Sequence, residues 1–169
     1  RGERIWTDRK EEGFGICEKL GVSLGNTVCN RAGSIVCKEE NNKIEFGNVE
    51  FLVPGKEMEP ELKELHPSKY VEYKASQDKD TAVEVVCLGN IALVGIKPEL
   101  NCGSGVTLQT LSPYPHTLVC TMINGSMKYM AEKASYDRFT YEAMNSPFGK
   151  GAAEILIEES LKLLKKMNI

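Results

Sequence analysis

Histidine is scarce in this chain: His66 and His116 are the only two in 169 residues, and tryptophan occurs once. His66 falls in a Leu-His-Pro turn and His116 directly precedes an apolar run, so neither sits in a recognisable catalytic or metalloprotease pattern. A Walker loop and a G-x-G-x-x-G fingerprint are both missing, and Gly103-Ser-Gly105 reads as a loop or the start of a helix. Apolar runs fall well short of the roughly 20 residues that span a bilayer, so no transmembrane segment is expected. The opening Arg1-Gly-Glu-Arg-Ile-Trp lacks the apolar centre of a signal peptide. Basic charge is not in excess either. The 21 Lys and Arg against 24 Asp and Glu give a net charge of −3, which argues against a nucleic-acid partner.

The six cysteines, at 17, 29, 37, 87, 102 and 120, form no C-x-x-C pair, which excludes a zinc finger. Cys37, Cys87 and Cys120 lie inside apolar strings and are expected as reduced, buried thiols, a usage that points to the cytoplasm. With 41% hydrophobic and 27% charged residues the composition is that of a folded domain, and the length suits one domain rather than two. The first residue is Arg1 and not Met, which suggests a processed product, a trimmed chain or a fragment of something longer.

Residues 8–31 carry Phe14, Cys17, Leu20, Leu24 and Val28 three or four apart, the stripe of an amphipathic helix. Strands are expected at 34–37 and 44–53, the second turned or bulged at Gly47-Asn48. The Glu- and Lys-rich stretch 58–79 reads as short surface helices split by Pro67. Two β-branched runs, 82–88 and 91–96, flank Gly89-Asn90, a hairpin signal. A short helix over 103–111 and a strand over 117–123 then complete a β-α-β crossover. Near the C-terminus, Ala153, Ile157, Ser160, Leu161, Leu164 and Met167 share one helical face, and Glu158 to Lys162 is an i, i+4 pair. The expected fold is a mixed α/β layer, a central sheet covered by an N-terminal and a C-terminal long helix.

Two placements stand out for function. Glu99 follows Pro98 straight after the 91–96 strand, where ligand-facing groups collect in α/β sheets. The stretch 124–148 concentrates Tyr129, Tyr136, Phe139, Tyr141 and Phe148 in a chain that is only 7% aromatic. A long non-periodic connection of this kind is uncommon unless it is functional.

Gly89 through Glu99, His116 through Gly125, Tyr129, Tyr136, Tyr141-Glu142, Ser146-Pro-Phe148 and Gly149 through Glu154 together resemble the neutral/alkaline ceramidase family, specifically the C-terminal half of its bacterial catalytic domain. The similarity reaches back, more thinly, to the first helix. It implies a zinc-dependent hydrolase of N-acyl sphingolipid-type amides, with Glu99 and Tyr136 as metal ligands and Asn124, Tyr129 and Tyr141 contacting substrate. Three positions depart from the family pattern: Phe139-Thr140 replaces a Gly-Gly pair, Lys128 replaces a Gly, and Pro98 stands where a small residue is usual. The family's zinc-binding histidines lie in a preceding segment, matched by neither His66 nor His116. The resemblance therefore implies zinc in the complete enzyme but none held tightly by this chain alone, and partners consisting of the N-terminal half of the same protein and a lipid-like amide. The alternative is a non-catalytic ligand- or partner-binding domain of the same lineage.

Overall fold

The structure is a computed structural model and describes residues 10–36, 43–57 and 73–168. The chain divides into two units, Arg1–Glu39 and Glu40–Ile169. The first contains helix α1 (Lys10–Gly33), the N-terminal long helix read from the stripe. It ends where the Ser34 and Ile35 amides turn back onto the carbonyls of Arg31 and Ala32, so the expected strand at 34–37 does not form within the described part. Ser-Ile-Val is β-prone but pairs with no strand among the described residues, and pairing rather than propensity makes a strand.

The second unit is built on a four-stranded sheet. Strand β1 (Ile44–Lys56) pairs antiparallel with β2 (Ala75–Leu88), which turns through Gly89-Asn90 into β3 (Ile91–Ile96). A two-residue strand β4 (Glu99–Leu100) and helix α2 (Cys102–Leu111) carry the chain to β5 (His116–Thr121), parallel to β3. The sheet order is β1-β2-β3-β5, with β3-α2-β5 as the crossover. Two features differ from the sequence reading. Gly47-Asn48 stays in register and the irregularity falls between Val53 and Gly55, while β2 starts at Ala75, inside the stretch expected to be helical. The remaining expected helices, His66 and Cys37 lie outside the described residues.

Strand alternation sorts the sheet into two faces. Val83, Val85 and Cys87 on β2 lie opposite Ile96, Val94 and Ala92 on β3, and all are buried. Helix α5 (Ala152–Met167), the C-terminal long helix, covers this face against β1 and β2, with α2 beside it, and buries Leu156, Ile157 and Leu164. Its charges bear out the i, i+4 reading: Lys162 meets Glu158 and Glu159, each at 2.8 Å. Gly47 allows the close approach, since a Cβ there would meet the Met167 sulfur at 2.6 Å. Between β5 and α5 run β6 (Tyr129–Met130), α3 (Lys133–Asp137) and α4 (Tyr141–Met144), the regular structure hidden in the aromatic stretch.

Of the cysteines described, Cys87 is buried as expected, whereas Cys120 is exposed on the face of the sheet away from α5. No helix among the described residues is long and apolar enough to cross a membrane.

Candidate functional site

Strand β4 lies parallel to β6, which sets Glu99 directly opposite Tyr129 and Leu100 opposite Met130. The Glu99 amide donates to the Lys128 carbonyl at 2.7 Å and fixes the register. Leu100 and Met130 are buried, so alternation turns Glu99 and Tyr129 outward as a pair. Tyr141, at the start of α4, packs edge-on against Tyr129 with ring centroids 5.7 Å apart. Glu99 is the main cause holding the Tyr129 phenol above its ordinary pKa, with burial, Tyr141 and Glu142 adding to it. Glu99, Tyr129, Tyr141 and Glu142 thus form one patch beyond the end of β3.

Tyr136 has other partners. Only 2% exposed, it donates its hydroxyl to the Phe148 carbonyl at 2.6 Å and lies 3.3 Å from the Ser146 hydroxyl. Burial is the largest cause raising its pKa; the Ser146 bond opposes this and Glu154 adds to it. Its ring meets Tyr73 edge-on at 5.2 Å and lines a cavity of about 560 Å³ with Lys56, Tyr73, Phe139 and Lys150. The Lys56 amine, over the Tyr73 ring, donates to the Met144 carbonyl at 2.9 Å. None of the contacts of Tyr136 reaches Glu99. Asn124, in the turn after β5, donates to Glu84 at 2.7 Å, which ties it to β2 instead of to the patch.

The two residues singled out as metal ligands thus have different partners in this structure, Glu99 beside Tyr129 and Tyr136 on the Phe148 carbonyl. Glu99 and Tyr129 stand side by side facing outward, a pairing the sequence reading missed. The available signal was the parallel pairing of 99–100 with 129–130, two runs too short to read as strands.

The backbone of this region is unusual. Among the described residues, four non-glycine ones have positive φ: Met122, Asn124, Lys128 and Phe139, at 57°, 52°, 57° and 50°. All lie within the stretch that delivers Tyr129 and Tyr141, and such conformations cost roughly 1–2 kcal/mol for an L-residue. Lys128 and Phe139 are the positions at which the resemblance calls for glycine.

No protein-family model matches the chain, and no curated protein matches it. Solved structures similar to it include a ceramidase complexed with C2 and the neutral ceramidase from Pseudomonas aeruginosa. Each is 14% identical with a TM-score of 0.49, over 52% of this chain and 15% of the other. The chain therefore spans about 15% of the length of these two proteins.

Proposed function

We propose that this chain is the C-terminal part of the catalytic domain of a ceramidase-like, zinc-dependent amidohydrolase, acting on N-acyl sphingolipid-type amides. The observation that carries the reading is the juxtaposition of Glu99 and Tyr129, an outward carboxylate and phenol held in register at the end of the sheet. Both belong to the motifs that resemble the ceramidase family. The left-handed backbone at Lys128 and Phe139 supports it further, because the conformation that glycine favours occurs where that family carries glycine.

Zinc bound there would supply a Lewis acid for the amide carbonyl and an activated water. Glu99 would contribute the carboxylate and Tyr129 the phenol oxygen, with Tyr141 packed against the Tyr129 ring to orient it. Tyr136 keeps its proton and braces the turn before α5. Two oxygen donors are too few for zinc, which takes four ligands or three plus water, so the histidines must come from another segment of the parent protein. The same donor count favours, for this chain on its own, the second reading, a non-catalytic domain of the same lineage.

The test is zinc content and amide hydrolysis of the complete protein, with an N-acyl sphingoid base as substrate. Glu99→Gln and Tyr129→Phe should each lower both, whereas Tyr136→Phe should keep zinc. Full zinc in both of the first two variants would end the proposal, and zinc loss in Tyr136→Phe alone would return the ligand role to Tyr136.

A further inference from the structure

The face of the sheet turned away from α5 carries Ile44, Phe46, Leu88, Leu93 and Leu118 in adjoining positions of its four strands. Ile44, Phe46 and Leu118 are 73%, 66% and 52% exposed. Beyond this apolar end the same face carries Glu50, Asp80 with Leu52 beside it, and Glu84, whose carboxylate accepts from Asn124. Four strands about 4.8 Å apart, over some five residues of length, give the apolar part a footprint of the order of 300 Å².

That area decides between occupants. A stable interface between free proteins needs roughly 800 Å² from each partner, so a second copy seated on this face alone falls short, and it would also bring a second set of the same acids to the interface. A layer tethered in the same polypeptide needs far less area, because linkage supplies a high effective concentration. We infer that this face is the docking surface for another layer of the parent protein, apolar opposite Phe46, Leu93 and Leu118 and bearing Lys or Arg opposite Glu50, Asp80 and Glu84. The inference rests on the reading of the chain as part of a larger hydrolase and names the surface by which the parts join.

Cys120 lies on this face, exposed, and reports on it. Iodoacetamide alkylation of Cys120 is compared in the purified 169-residue chain and in the native protein drawn from its source cells with an antibody to α5. At least a tenfold slower reaction in the native protein is expected, together with a native mass above 18.7 kDa. Equal rates would overturn the inference, as would a native mass equal to that of this chain. Protection already present in the isolated chain would overturn it too, a monomer mass assigning the face to its own residues and a doubled mass to a second copy. Amide hydrolysis is scored separately: protected Cys120 without hydrolysis keeps the docking surface and removes the enzyme reading, and reactive Cys120 with hydrolysis does the reverse.

Discussion

The hydroxyl of Tyr136 in α3 donates to the carbonyl of Phe148 at 2.6 Å, joining the short helix to the turn from which α5 starts. The same turn is held from its other side, where the Lys56 amide donates to Pro147 at 2.8 Å and the Gly149 amide to Pro54 at 2.7 Å. Tyr136 therefore couples the aromatic stretch to β1 through buried polar contacts. Removing the hydroxyl leaves the Phe148 carbonyl with only the Ser146 hydroxyl, 3.3 Å away. Tyr136→Phe should destabilise the 169-residue chain by about 1–3 kcal/mol, the usual cost of under-satisfying a buried acceptor. Urea unfolding followed by far-UV circular dichroism reads this directly, and an unchanged midpoint would contradict the bracing role.

The same burial has a pH signature. Tyr136 has its pKa raised in the folded chain, so the folded state holds the phenol proton more tightly than the unfolded state does. Its contribution to stability is complete below the unfolded value of about 10 and is lost as pH rises through the folded value. Tyr114, pushed in the same direction by burial and by its bond to Cys87, adds to that alkaline loss. Thermal midpoints measured from pH 8 to 11 should fall at the alkaline end, and Tyr136→Phe should flatten the decline without abolishing it.

At the outward patch the prediction concerns charge alone. Glu99 is the leading cause of the raised Tyr129 pKa, and the Tyr129 side chain is half-buried at the surface. Glu99→Gln removes the negative charge and should move the Tyr129 transition to lower pH, visible as tyrosinate absorbance near 295 nm or in the ring proton resonances. Glu142→Gln should move it the same way by less, since Glu142 contributes less. A Tyr129 transition indifferent to Glu99 would break the pairing on which the proposed site depends.

Much of the fold was legible because its periodicities are local. The α5 stripe, the Gly89-Asn90 hairpin and the crossover through α2 each rest on patterns within a dozen residues. The failures share a different cause. Residues 34–36 have strand-like residue types but no strand partner among the described residues, and residues 75–79 have surface-like composition yet are recruited by pairing with the far end of β1. Cys120 sits in an apolar string and is still exposed, because alternation sends it to the face away from α5. The site divides in the same way. Glu99 is singled out by its position after a strand, but its neighbour in the fold is set by a two-residue parallel bridge that carries no sequence period.

Glycine substitutions separate backbone conflicts from side-chain ones. A Cβ at Gly55 would lie 2.0 Å from the Gln77 carbonyl oxygen, a backbone atom of the paired strand that cannot move without opening the β1-β2 ladder. At Gly47 the obstacle is the Met167 sulfur at 2.6 Å, the far end of a flexible side chain. Gly55→Ala should therefore cost at the upper end of the roughly 1–3 kcal/mol typical of overpacking or beyond it, and Gly47→Ala distinctly less. Equal midpoints for the two variants in denaturant would show that the strand irregularity at Val53 and Gly55 gives way more easily than its geometry implies.

Strain near the patch predicts a change in the opposite direction. Lys128 occupies a left-handed conformation at φ 57° immediately before Tyr129, its side chain is exposed, and its carbonyl accepts from the Glu99 amide. Lys128→Gly keeps that carbonyl and removes the Cβ that makes the conformation unfavourable, although it also loosens the unfolded chain. The balance should be a gain of up to about 1 kcal/mol, with the Tyr129 transition still governed by Glu99 because the register is preserved. Phe139→Gly relieves the same strain at φ 50° but also deletes a ring stacked on Tyr73 with centroids 5.8 Å apart, so it should stabilise less or not at all. A Lys128→Gly chain less stable than the parent would mean that the lysine side chain holds the β4-β6 bridge by a contact worth more than the strain.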